Sequence, residues 1–185
     1  MNCKIATVAL CALAISPSVA LAQQATSQQM KEEPAEMKHA AAPSTPEWQQ
    51  LKTLVGQWQS AAEAGMAEGS TLEVRMTGGG SAIMHIAGKD TPYEMVTMFH
   101  PDGPALMATH YCAAHNQPRM QMVPAPAPNQ IAFRFKDGTN IGPGDGHMVG
   151  LVITFIDANH HDEAWAYEDK GKELPATVFH YSRKP

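Results

Sequence analysis

Short runs of alternating apolar and polar residues follow one another through most of this chain. Leu72, Val74 and Met76 alternate with polar neighbours, and Ile131 and Phe133 do so further on. Successive side chains of a strand point to opposite faces, so the pattern is typical of strands with one buried face. About ten such segments recur at roughly 10–12-residue spacing, separated by turns rich in Gly and Pro. The pattern predicts an all-β fold, either an antiparallel barrel or a sandwich.

A short helix is predicted to precede the strands. Thr45 is a favourable N-cap residue, and Pro46 suits the first helical position. Trp48, Leu51 and Leu54 then follow at three-residue spacing, which gives the helix one apolar face.

The sequence Leu54-Val55-Gly56-Gln57-Trp58, which joins this helix to the first strand, resembles the Gly-x-Trp signature of lipocalins and their relatives, the calycins. The resemblance implies an up-and-down β-barrel of about 8–10 strands, with Trp58 at its closed end beneath the helix. It also implies that a basic residue near the last strand packs across this Trp. Arg183 is the expected residue and Arg134 the fallback. Calycins commonly carry small apolar molecules, so a mainly apolar ligand is expected inside the barrel.

Residues 1–22 are predicted to be a signal peptide. Lys4 supplies the positive charge, an apolar stretch follows, and Ala20-Leu21-Ala22 matches an A-x-A cleavage site. Residues 23–45 are rich in Gln, Ala, Glu, Lys and Pro, which predicts a disordered tether. Residues 46–185 are then the lipocalin-like barrel domain. We expect an exported protein, periplasmic or secreted.

Charge and cysteine content exclude several classes of protein. The formal net charge of −5 argues against nucleic acid or an anionic membrane surface as the main partner. The apolar stretch of the signal peptide is too short to span a bilayer, so no membrane span is expected. Cys112 is the one cysteine left after cleavage, so the mature chain cannot form an internal disulfide. We expect a monomer.

The segment from Thr109 to Met120 is the most unusual in the chain. Its Thr-His-Tyr-Cys and Asn-Gln-Pro-Arg-Met sequences resemble a hallmark of exported bacterial lipocalin-like proteins, a resemblance that implies the family and no activity. We expect two strands and a turn at one rim of the barrel, with Asn116, Gln117 and Arg119 in one hydrogen-bonded cluster. A packing interpretation puts Tyr111 or Cys112 in the core. A ligand-binding interpretation has the candidates His110, Tyr111, Cys112, Arg119, Met95 and Met107.

Metal and haem sites are weaker alternatives. His110, Cys112 and His115 have side chains that suit Zn²⁺ or copper, but no second cluster completes the set. His180, in the last predicted strand, resembles by position the iron-ligating His of nitrobindins, which are haem-binding barrels of the calycin group. The residues after Trp58 depart from the nitrobindin pattern. Neither a metal nor haem is therefore predicted.

The remaining histidines have ordinary interpretations. His39 lies in the tether, His100 at a hairpin, and His160 and His161 in a polar turn, so all four are expected to be solvated. His85 lies on a strand and is expected to be a hydrogen-bonded residue of the barrel wall.

Enzyme signatures are weak in this sequence. It contains no Gly-x-Ser-x-Gly elbow, and the glycine-rich stretch 142–146 lacks the pattern of a phosphate-binding loop. Whether the protein is an enzyme stays open, and binding is favoured. The alternative is a structural or protein-interaction module of the cell envelope whose barrel is filled by side chains. An open cavity of a few hundred Å³ would favour ligand binding.

Overall fold

The structure is a computed structural model, and it describes residues 44–61 and 69–185. The predicted signal peptide lies outside the described residues, as does the predicted tether apart from its last two residues. No helix among the described residues is long and apolar enough to cross a membrane.

The described residues form one short helix followed by β-strands. In chain order the elements are α1 (Pro46–Lys52), β1 (Gly56–Ser60), β2 (Thr71–Thr77), β3 (Ala82–Ala87), β4 (Met95–Asp102), β5 (Ala105–Tyr111), β6 (Gln117–Val123), β7 (Gln130–Thr139), β8 (His147–Phe155), β9 (His160–Asp169), β10 (Lys172–Glu173) and β11 (Thr177–Arg183). All pairings are antiparallel, and pairing of β8 with β9 closes the sheet on itself. The two-residue β10 pairs with β9, and the other ten strands form the barrel. The predicted all-β antiparallel barrel is confirmed.

Alternation of side chains builds the core of the barrel. In β2, Leu72 and Val74 are buried while their neighbours are not, and every second residue of most strands behaves in the same way. The inward residues include Ile83, Phe99, Leu106, Met120, Ile131, Phe133, Leu151 and Ile153. Local turns set the register, as between β4 and β5, where Gly103 has a φ of +61°.

Helix α1 covers one end of the barrel. The Thr45 hydroxyl accepts a hydrogen bond from the backbone N–H of Trp48 at 3.2 Å, which confirms the predicted N-cap. Trp48, Leu51 and Leu54 are buried against the barrel. The indole of Trp58 donates to the Leu54 carbonyl at 2.7 Å, so the polar atom of this buried ring is satisfied.

Arg183 ties the ends of the first and last strands to the helix. Its guanidinium lies 4.0 Å from the centre of the Trp58 ring and donates to the carbonyls of Thr53 and Val55 at 2.7 and 2.8 Å. This is the contact expected from the calycin resemblance. Gly56 has a φ of +146°, and a Cβ at this position would collide with the guanidinium. A glycine is therefore needed here for both backbone conformation and space.

Candidate functional site

A cavity of about 300 Å³ lies inside the barrel at the end opposite α1. It is bordered by the start of β4, the end of β3 and the end of β9, whereas α1 lies at the start of β1. Its apolar wall is formed by Ala87, Met95, Met148, Trp165 and Phe179. Side chains with polar groups also line it, namely Ser70, His85, Thr97, His110, Glu163, Tyr167, Thr177 and Tyr181.

Glu163 is the centre of a buried polar cluster beside this cavity. Its carboxylate accepts hydrogen bonds from His85 Nε2 at 2.9 and 3.1 Å, from Trp165 Nε1 at 3.0 Å and from His161 Nε2 at 3.3 Å. The Glu163 side chain is completely buried, and both histidine side chains are nearly so. Because β9 alternates, His161, Glu163 and Trp165 all point inward, and His85 reaches them from β3 across the barrel.

The hydrogen bonds fix which ring nitrogens carry protons. An ionised carboxylate can only accept hydrogen bonds, so both His85 and His161 must donate from Nε2. Their Nδ1 atoms are buried and have no hydrogen-bond partner in the described part of the chain. His85 also lines the cavity, so one of these unpaired nitrogens belongs to a residue of the cavity wall.

Two opposing effects act on the Glu163 carboxyl. Burial raises its pKa, because a charge is costly in an apolar interior. The positive charge of His85 and the hydrogen bonds from His161 and His85 outweigh burial and hold the pKa of Glu163 well below its usual range. Glu163 is therefore an anion at neutral pH, and the ring N–H groups of His85 and His161 donate hydrogen bonds to it.

His110 and Thr97 form a second polar pair on the neighbouring strands. His85 lies opposite Thr97 in the β3–β4 pairing, and Thr97 lies opposite His110 in the β4–β5 pairing. Thr97 Oγ1 and His110 Nδ1 are 2.8 Å apart. Burial, together with the charge of His85, lowers the pKa of His110 from 6.5 to about 4, although Glu163 opposes this. The His110 ring is therefore neutral at pH 7.

Aromatic contacts connect the polar cluster to the closed end of the barrel. The ring of His161 stacks on Tyr181, with 5.1 Å between centroids, and meets Trp58 edge-on at 4.4 Å. His161 of the polar cluster therefore contacts Trp58 directly, and Arg183 packs on the same Trp58 ring.

Comparison with known proteins adds one observation. No protein-family model matches the chain, and no curated protein matches it. The chain is similar in structure to the crystal structure of Rv2717c from M. tuberculosis, with a TM-score of 0.53. The likeness supports a barrel fold. It covers 77% of this chain and 100% of that chain at 12% sequence identity, so it shows the fold and nothing about a ligand.

The structure brings two of the six ligand-binding candidates to the cavity. His110 and Met95 line it. Met107 and Tyr111 have the opposite orientation to His110 because they are an odd number of residues away on β5, and Tyr111 is 50% exposed. Cys112 follows the end of β5 and is partly buried. The packing interpretation of Tyr111 as a core residue is therefore wrong.

The predicted cluster of Asn116, Gln117 and Arg119 is also wrong. Asn116 donates to the Gly146 carbonyl at 2.9 Å, Gln117 accepts from Thr139 at 2.7 Å, and Arg119 pairs with Asp137 on the outer surface. Each of the three side chains thus bonds its own partner, on β7 or in the loop that follows it, and they do not bond one another. Alternation along β6 points Gln117 and Arg119 away from the barrel interior.

The weaker metal and haem candidates are dispersed. His110 points into the barrel, whereas His115 is an exposed turn residue with a φ of +63°. His180 lies on the outer face of β11, where its ring contacts Asp162 at 2.7 Å, so it does not fit an axial haem ligand inside the barrel. In the parts of the chain that the structure describes, no three His, Cys, Asp or Glu side chains are grouped in a way that could hold a metal ion.

Sequence reasoning missed the polar cluster itself. His161 was expected to be solvated in a turn, but β9 begins at His160, and His161 is 1% exposed. The available signal was the spacing of His161, Glu163 and Trp165, which alternate as inward residues of a strand do. The expectation that His85 is a satisfied wall residue is confirmed in part: it is buried and Nε2 is hydrogen-bonded, but Nδ1 has no partner among the described residues.

Proposed function

We propose that this protein binds a small, mainly apolar molecule inside its barrel. The observation that carries the proposal is the cavity of about 300 Å³, which lies at the lower end of the volumes of small-molecule sites. A barrel that serves only as a structural or interaction module would be filled by its own side chains. The cavity wall combines apolar side chains with a few polar groups, as is typical of ligand sites.

Binding should be abolished by filling the cavity. The uncharged fluorophore N-phenyl-1-naphthylamine should bind the wild-type protein with an increase in emission. Ala87→Phe places a ring in the cavity and should weaken binding by at least about tenfold, because the ring takes the space of the probe. Fluorescence titration gives both dissociation constants.

Ala82→Phe provides the matched control. Ala82 is on the same strand as Ala87 but at an odd separation, so its side chain points to the other face. This variant should bind like the wild type. Absence of binding to the wild type, or equal binding by the Ala87→Phe variant, would favour the structural or interaction module instead.

We further propose that the protein is exported and acts in the periplasm or outside the cell. The support is the arrangement of charge, apolar stretch and cleavage site in residues 1–22. When the full chain is expressed in a bacterium, the protein recovered from the periplasmic fraction should begin at Gln23, as measured by intact mass. Recovery of the full-length chain from the cytoplasm alone would contradict the proposal.

A further inference from the structure

His110 lines the cavity and carries one polar ring atom that no described residue bonds. The residue is 3% exposed and lines the cavity, and its ring lies 5.1 Å from that of Trp165 between centroids. Nδ1 contacts Thr97, but Nε2 is buried without a hydrogen-bond partner among the residues that the structure describes. A buried polar atom left in this way is costly, so a ligand that satisfies it gains affinity.

The hydrogen bond to Thr97 indicates which form of the ring is present. If the Thr97 hydroxyl donates to Nδ1, the one proton of the neutral ring lies on Nε2, and a single N–H is left unpaired. If Nδ1 donates instead, both the hydroxyl hydrogen and the Nε2 lone pair are left unpaired, since Thr97 has no other partner in the described residues. The first arrangement leaves fewer unmade bonds, so His110 presents Nε2–H as a donor.

The charges around the cavity restrict the ligand further. The described residues that line the cavity include no Lys or Arg, and they do include the Glu163 carboxylate, which is an anion. A carboxylate ligand would therefore be buried without a counter-ion. A cationic amine carries only donors, so it could not accept a hydrogen bond from His110.

We propose that the cavity selects an uncharged, mainly apolar molecule that carries an acceptor oxygen, such as a ketone or an ether, and that His110 Nε2–H donates a hydrogen bond to this oxygen. The inference rests on the proposed binding function and names the chemical class of its ligand. His110 is then the residue that determines specificity, and the apolar wall supplies the remaining contact.

Three probes of nearly equal shape test the proposal. 2-Acetylnaphthalene carries a carbonyl oxygen, 2-isopropenylnaphthalene replaces that oxygen by a CH₂ group, and 2-naphthoate carries a charge. The wild-type protein should bind the ketone about tenfold more tightly than the hydrocarbon, which corresponds to about 1.4 kcal/mol, and should bind the naphthoate most weakly. Quenching of tryptophan fluorescence, to which Trp165 in the cavity wall contributes, reports binding.

Two variants assign the preference to His110. His110→Phe keeps a ring of similar shape but removes the donor, so the ketone and the hydrocarbon should bind equally well. His180→Phe makes the same change on the outer surface and should keep the wild-type preference. Infrared spectroscopy shows whether the bound ketone accepts a hydrogen bond in the cavity even if the His110→Phe variant does not fold. The carbonyl stretch in the wild-type complex should lie at lower frequency than in hydrocarbon solvent.

The outcomes separate this inference from the proposed function. If no probe binds the wild type, the binding function itself fails. If the ketone and the hydrocarbon bind equally, or the carbonyl stretch is unshifted, the barrel binds ligands but the inference is wrong. Tightest binding of 2-naphthoate, or a ketone preference that persists in the His110→Phe variant, would also overturn it.

Discussion

Replacing Glu163 by Ala should lower the free energy of unfolding by about 3–5 kcal/mol. Glu163 accepts hydrogen bonds from His85, His161 and Trp165, and all of these donors are buried. Removing the carboxylate leaves three buried donors without a partner. Urea unfolding of the wild type and the variant measures the difference.

Glu173 provides a matched control on the neighbouring strand β10. Its carboxylate also forms a two-point ion pair, with both terminal nitrogens of Arg134 at 3.0 and 2.7 Å, but the pair is exposed. Glu173→Ala should therefore cost no more than about 1 kcal/mol. If the Glu163 and Glu173 variants lost equal stability, the cluster would not be a major support of the barrel. Glu163→Gln, which keeps an acceptor oxygen but loses the charge, should lie between the two.

Much of the barrel follows from local sequence signals. Alternation in segments such as 72–76, the Pro-Asp-Gly-Pro turn before β5 and the N-cap at Thr45 each act within a few residues. Such signals can be interpreted from the sequence alone because their physical causes are local. These causes are the direction of side chains along a strand and the backbone conformation at a turn. The Gly-x-Trp sequence at Gly56 and Trp58 is also a local signal.

The candidate site was less accessible to sequence reasoning because it depends on distant contacts. His85 and Glu163 are 78 residues apart and lie on strands that are not neighbours in the sheet. Their contact arises only when the sheet closes and the inward faces of β3 and β9 meet. The position of His110 at the cavity was predicted, but its environment depends on which face of each strand points inward. An error of a few residues in a predicted strand boundary changes which residues are assigned to the inward face. His161 is an example, because it was assigned to a turn and lies on the inward face of β9.

Acid should destabilise this protein through His110. The pKa of His110 falls from 6.5 in the unfolded chain to about 4 in the folded protein, because burial disfavours the charged ring. Between these values the unfolded chain binds a proton that the folded protein does not, so stability decreases as the pH falls from 6.5 to 4. The loss from this group should be about 2 kcal/mol by pH 5 and about 3 kcal/mol by pH 4. Urea unfolding at several pH values measures it.

A comparison with His110→Phe isolates this contribution from the other groups that titrate. His85 on β3 and Glu163 on β9 face the ring and remain in the variant, and Glu163, with its lowered pKa, adds its own loss of stability only below about pH 4.5. Between pH 6.5 and 5 the stability of the wild type should therefore fall by about 1.6 kcal/mol more than the stability of the His110→Phe variant. His180→Phe, at an exposed position, should keep the wild-type slope. Parallel curves for the wild type and the His110→Phe variant would mean that the folded protein binds a proton at His110 as readily as the unfolded chain does, and that the ring is not held neutral beside the cavity.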